Sequence, residues 1–250
     1  MRLAISVITT LITLVVAHRG ASAYAPENTI AAFELAAGQG ADMFELDVRE
    51  TSDHHLVLMH DPTLSRTTDV ERVHPGRSPW RVGDFTLAEI RSLDAGSWFD
   101  GDYRGSRVPT LEEALESMSG SGLGLLLEIK EPGTEAAVAQ VLRSHPYWLG
   151  GDRLVVQSFS WRSMRVFHRS LPEVPIGLLG TPAVRDLASL SAYADEINPP
   201  YADVTRDYVR KVHEHGMKVR AWTVDDPATM RRMISYGVDA IITNRPDLMP

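Results

Sequence analysis

The chain has 250 residues, 44% of them hydrophobic and 23% charged, which is ordinary for a globular protein and long enough for one large barrel or two small domains. Its net charge of −8 argues against a nucleic-acid partner, which needs a basic face, and against electrostatic docking on anionic lipid. The absence of cysteine excludes disulfides, thiolate nucleophiles and cysteine zinc sites.

At the N-terminus Arg2 precedes a largely apolar run over 3–16, and Ala21-Ser22-Ala23 has the form of a signal-peptidase site. The run is too short and too rich in Ser and Thr for a membrane span of about 20 residues. Residues 11–17 also make a good buried strand leading straight into His18-Arg19-Gly20, and cleavage after Ala23 would discard both. The expectation is a retained strand preceded by an extension over 1–10, with no stable membrane insertion. A cytoplasmic location is favoured; a secreted or periplasmic one follows if the run acts as a signal.

Seven more short, apolar, strand-like runs follow at 43–48, 123–129, 154–157, 175–179, 195–197, 218–223 and 240–243. Helical spacing fills the gaps at 29–39, 110–117, 135–144, 161–170, 183–190, 205–215 and 227–236. Thr110 followed by Glu113 reads as a capping box, and Asp226-Pro227 as a cap with proline in the first turn. His215-Gly216 and Tyr236-Gly237 supply helix stops. Strand–helix alternation predicts an α/β protein with a parallel sheet covered by helices. Eight units in this length predict a (β/α)8 TIM barrel forming one domain over 1–250. A doubly wound open sheet is disfavoured, because no glycine-rich phosphate loop follows the first strand. Residues 62–107 break the rhythm, being long, polar and dense in turn residues. They read as a small cap inserted between the second strand and the second helix, since a structureless loop of that length is improbable.

Polar residues gather at the strand ends, where a barrel builds its active site. His18 and Arg19 end the first strand. Glu45 and Asp47 lie two apart on the second and so face the same way, as do Glu128 and Lys130 on the third. Three carboxylates in one pocket repel each other and are costly to bury, which a hard divalent cation relieves. Glu45, Asp47 and Glu128 are therefore the candidate ligands of one Ca²⁺ or Mg²⁺ ion, with zinc an alternative if the nearby histidines join. His18 and His60 end apolar runs beside these carboxylates and are candidates for proton transfer. Arg19 and Lys130 offer positive charge for a phosphate, or else neutralise the carboxylates. Phe159 and Trp222 are candidates to wall the pocket, with plain core packing the competing role.

Five blocks in order resemble the glycerophosphodiester phosphodiesterase family from about residue 12 to the C-terminus. They are His18-Arg19-Gly20 with Pro26-Glu27-Asn28-Thr29, Glu45-Leu46-Asp47-Val48 with His60-Asp61, Leu127-Glu128-Ile129-Lys130, the stretch from Leu93 to Glu113, and Ala221-Trp222-Thr223-Val224. The resemblance implies a barrel in which Glu45, Asp47 and Glu128 hold the metal, His18 and His60 act as acid and base, and Arg19 and Lys130 contact phosphate. It implies hydrolysis of glycerophosphodiesters to an alcohol and sn-glycerol 3-phosphate, with Glu27 and Asn28 holding the His18 loop. One departure is Asn244 in Thr243-Asn244-Arg245-Pro246, where the family commonly has aspartate. Two alternatives stand beside this reading. One is a lipid-acting phospholipase D or phosphoinositide-type phosphodiesterase on the same barrel, with Trp80, Trp98, Phe99 and Tyr103 as a membrane rim, for which packing of the cap is the favoured competing role. The other is a catalytically silent binding barrel.

Overall fold

A computed structural model of the protein describes residues 13–151 and 153–250. The extension expected over 1–10 and the start of the first strand lie outside the described residues. Among the described residues there are nine strands: β1 Leu14–Ala17, β2 Met43–Glu50, β3 Leu56–Leu58, β4 Gly124–Ile129, β5 Leu154–Ser158, β6 Ile176–Leu179, β7 Glu196–Asn198, β8 Lys218–Ala221 and β9 Ala240–Thr243. Eight of them form one parallel sheet in the order β1-β9-β8-β7-β6-β5-β4-β2. It closes where β1 meets β2, with Val16 opposite Met43 and Ala17 opposite Phe44. The fold is thus the expected (β/α)8 barrel. β3 lies antiparallel on β2 and opens the insertion. Cleavage after Ala23 would remove β1 and open the barrel.

The helices are α1 Ile30–Gly38, α2 Val70–Val73, α3 Leu87–Ile90, α4 Leu111–Ser117, α5 Glu135–Ser144, α6 Pro146–Leu149, α7 Trp161–Ser170, α8 Leu187–Leu190, α9 Arg206–Glu214 and α10 Pro227–Tyr236. The expected caps form. Thr110 and Glu113 exchange side-chain to backbone bonds at the start of α4, and Asp226 accepts from the Thr229 backbone at the start of α10. Such a cap contributes about 1 kcal/mol. Gly237 ends α10 at φ 86°, a left-handed conformation that glycine adopts without a Cβ clash. The strand expected over 218–223 stops pairing continuously at Ala221, and Trp222 keeps a single parallel bridge to Pro200.

The strands' period of two builds two cores. Outward residues such as Phe44, Leu46, Leu125, Leu127, Val156 and Ile176 are buried against the helices. Inward residues Val16, Met43, Leu126, Val155, Ala240 and Ile242 fill the barrel itself. A buried ion pair sits in that interior too, with Arg220 donating to both carboxylate oxygens of Glu196. Further along β2 and β4 the inward positions change from apolar to acidic, which is where the site begins.

The insertion packs on a core of its own. Val57 and Met59 meet Leu64, Val70, Val82, Phe85, Ile90, Leu93, Ala95 and Val108, all buried. Trp98, Phe99 and Tyr103 stack edge to face, and Tyr103 donates to the Tyr24 carbonyl at 3.0 Å, tying the insertion to the loop between β1 and α1. Among the described residues no helix is long and apolar enough to cross a membrane.

Candidate active site

The site grows from the end of β1. His18 N still bonds to Thr243 of β9 at 2.8 Å, and then the chain turns through Arg19 (φ 56°) and Gly20 (φ 81°). A Cβ at Gly20 would lie 2.5 Å from the Ala32 backbone, so only glycine lets the turn sit this close to α1. The left-handed Arg19 backbone aims its N–H at Glu45 Oε2, 2.7 Å away. Asn28, also left-handed at φ 57°, bonds Asp47 twice: Nδ2 donates to Oδ2 at 2.8 Å, and Oδ1 accepts from the Asp47 backbone at 3.1 Å. Both residues thus hold a strained backbone against the acidic strand.

Glu45, Asp47 and Glu128 are buried and converge, each placing an oxygen within 4.8 Å of the others. The pairing of Asp47 with Glu128 across β2 and β4 makes them neighbours. Cations brace them from two sides. The Arg19 Nε lies 3.2 Å from Asp47 Oδ2, while Lys130 Nζ lies 2.7 Å from Glu128 Oε1 and 3.3 Å from Asp47 Oδ1. Burial raises the Asp47 pKa, but Lys130 and Arg19 outweigh it and bring the carboxyl down to about 2. Burial and the Asp47 charge push Glu128 up to about 7, and burial with the charges of Asp47 and Glu128 pushes Glu45 well above the carboxylate range. Glu45 Oε1 has no hydrogen-bond partner among the described residues. A buried, all-oxygen donor set with mutual repulsion and an orphaned oxygen fits a hard divalent cation.

The two histidines stand beside this cluster with different supports. His18 Nδ1 lies 2.8 Å from Asn244 Oδ1, and burial, with Arg19 adding, lowers its pKa to about 4. His60 Nδ1 lies 2.7 Å from Asp61 Oδ1. Its pKa is also lowered, by burial first, even though Asp47 acts to raise it. Arg49 clamps the His60 carbonyl through Nε and Nη2. Arg66, from the insertion, donates to Asp61 at 2.6 Å and to both oxygens of Glu27 at 2.7 and 2.8 Å. Glu27 in turn takes a 3.0 Å bond from Arg19, so the His60 and Arg19 sides are one charged network.

One cleft of about 130 Å³ collects His18, Arg19, Glu45, His60, Glu128 and Lys130 on one side. Gln157, Phe159, Leu179, Trp222 and Ile242 line the other. Phe159 and Trp222 meet edge to face at 5.8 Å, and Trp222 Nε1 donates to Asn198 O at 2.7 Å. Eight of the nine residues singled out from the sequence therefore line one cleft, and the ninth, Asp47, lies beneath it. Sequence reasoning missed Gln157, Arg66 and Asp225, the last of which accepts hydrogen bonds from Asn244 behind His18. Gln157 was open to discovery, since it holds an inward position on β5 two residues before Phe159. Arg66 and Asp225 lie in irregular segments, where no periodicity points to a partner.

Comparison with known proteins agrees with this geometry. Residues 18–248 match the model of the glycerophosphoryl diester phosphodiesterase family. A glycerophosphodiester phosphodiesterase of Caldanaerobacter subterraneus is 38% identical over 95% of this chain and 96% of its own length. One from Bacillus subtilis is 37% identical over 94% of this chain and 84% of its own. A solved phosphodiesterase from Oleispira antarctica, in complex with its product sn-glycerol-3-phosphate, superposes with a TM-score of 0.84 at 33% identity, covering 95% of each chain. The glycerophosphodiester phosphodiesterase from Agrobacterium tumefaciens gives 0.82 at 33% identity, over 95% of this chain and 99% of that one. An acidic cluster, two imidazoles and two cations at the mouth of a barrel, with this likeness along the whole described chain, place the protein in the glycerophosphodiester phosphodiesterase family.

Proposed function

We propose that the protein hydrolyses glycerophosphodiesters to an alcohol and sn-glycerol 3-phosphate, with His18 and His60 as the proton-transfer pair. The observation that carries this reading is the convergence of three buried carboxylates, two imidazoles and two cationic side chains on one cleft. Its product is the molecule held by the Oleispira antarctica relative.

Arg19 and Lys130 bind the phosphate oxygens, Arg19 through its planar fork and Lys130 as a point charge. One imidazole takes the proton of the glycerol 2-hydroxyl as that oxygen attacks phosphorus. The other gives a proton to the departing alkoxide, and water then opens the cyclic phosphate. Glu45, Asp47 and Glu128 would hold Ca²⁺ or Mg²⁺, which supplies charge neutralisation at the phosphoryl oxygens when bound. Phe159 and Trp222 form an apolar wall for the carbon skeleton of the substrate, a small molecule.

The test is release of glycerol phosphate from glycerophosphocholine in Ca²⁺ or Mg²⁺, by the wild type and by folded His18→Ala and His60→Ala variants. Turnover by the wild type and a fall of about 100-fold or more in each variant are expected. Full activity in both variants removes the histidine mechanism, and no turnover by the wild type with either ion removes the substrate assignment.

A further inference from the structure

The last barrel strand leads into an amide, Asn244, at the position where the resembled family commonly has aspartate, and that amide is engaged on both its oxygen and its nitrogen. Asn244 Nδ2 donates to Asp225 Oδ2 at 2.7 Å, and its backbone N–H donates to Asp225 Oδ1 at 2.8 Å. The Thr243 hydroxyl donates to Asp225 Oδ1 as well, at 3.1 Å. An ionised carboxylate only accepts hydrogen bonds, so the nitrogen of the Asn244 amide must face Asp225. Its oxygen is then the atom 2.8 Å from His18 Nδ1. Two acceptors cannot bond to each other, so Nδ1 must carry the proton. The Ser22 hydroxyl also reaches Asn244 Oδ1, at 2.8 Å, and the His18 carbonyl at 2.7 Å, which ties the turn after β1 to the same oxygen.

We propose that Asn244, oriented by Asp225, is a positioning residue that locks His18 in the Nδ1–H tautomer and leaves the Nε2 lone pair as its proton-accepting atom. The lock works without placing a full charge on the ring. His60 differs, since its Nδ1 meets the Asp61 carboxylate directly. Asp225 acts on His18 only through the polarised amide. This inference rests on the reading of His18 as a proton-transfer group, but the tautomer itself is measurable whether or not that reading holds.

The experiment combines nitrogen-15 spectra of the histidine rings, assigned with His18→Gln, with kcat and KM on glycerophosphocholine in saturating Mg²⁺ or Ca²⁺. Three proteins are compared: the wild type, Asn244→Ala, and the exchange variant Asn244→Asp/Asp225→Asn. The wild type shows a single His18 tautomer protonated at Nδ1. Asn244→Ala loses that preference, and kcat falls about 10- to 100-fold, the range typical of lost orienting partners, while KM changes little. The exchange variant restores the tautomer and most of kcat, because the carboxylate now at position 244 still accepts from Nδ1 and the amide now at position 225 donates to it. A wild-type ring protonated at Nε2 overturns the proposal. So does an Asn244→Ala protein whose tautomer is unchanged, whatever its kcat, and so does an exchange variant that leaves the tautomer lost. If Asn244→Ala does not fold, the wild-type and exchange spectra decide. Should His18→Ala keep full turnover, the catalytic reading falls and the spectra still judge the lock.

Discussion

The two sides of the cleft are built on opposite principles. At the ends of β1, β2 and β4 each functional group has at least one fixed polar partner, and Asp47 alone is reached by Asn28, Arg19 and Lys130. Across the mouth, at the ends of β5, β6, β8 and β9, the lining is largely apolar, and Phe159 is 57% exposed. The charged side bears a cost, because Glu45 and Glu128 are driven toward protonation by burial and by their neighbours. The apolar side bears none and is held by few directional bonds. The charged side is cross-braced by directional bonds, while the apolar side is held mainly by packing.

The strongest way to break this contrast is to remove the centre of the charged side. Asp47→Ala leaves Arg19 and Lys130 without their shared partner. Stripping one member from a buried ion pair costs about 3–5 kcal/mol, so a drop of that size in urea unfolding is expected together with loss of turnover. Chelation of divalent ions from the wild type abolishes turnover, and adding back Ca²⁺ or Mg²⁺ restores it, as an assay of glycerol phosphate release would show.

His60→Ala and His18→Ala come next, each lowering kcat by about 10²- to 10⁴-fold as positioned acid–base groups do, with the circular dichroism spectrum unchanged.

Acid sensitivity sharpens the picture of His18. Its pKa falls from 6.5 to about 4 in the native state, so the unfolded chain takes up a proton that the native ring refuses. This contribution to stability is present above about pH 6.5 and is lost as pH falls toward 4. Thermal midpoints of the wild type and His18→Gln, taken with divalent ion saturating, should therefore draw together or cross as the pH drops through that window. An ion held by the proposed ligands would keep Glu128 ionised; without one, that raised carboxyl contributes in the opposite sense, its share of stability fading as pH rises toward 7.

The smallest effect belongs to the apolar side. Phe159→Ala takes an exposed ring from the wall it forms with Trp222; partial burial of such a ring by substrate is worth about 1.5 kcal/mol or less, so KM rises by at most about 13-fold. kcat and the unfolding midpoint stay near wild type, because the ring is more than half exposed. A large fall in kcat would show that the two sides are not independent.

Much of the charged side is legible in the amino-acid sequence because strands impose a period of two. Glu45 with Asp47, and Glu128 with Lys130, must face one way on β2 and β4, and apolar neighbours on the alternate positions say that the other face is the helix layer. The alternation of strands and helices likewise announces the barrel, and the caps at Thr110, Asp226 and Gly237 are local chemistry. Only the tertiary structure decides what supports the two histidines. Pairing of the last strand with the first sets β9 beside β1 and carries Asn244 to His18 across 226 residues of chain, with Asp225 behind it. Arg66 reaches Asp61 and Glu27 because the insertion folds back over the turn after β1. Such bonds run between irregular segments, whose side chains follow no repeat, so their partners emerge only when the sheet has closed on itself.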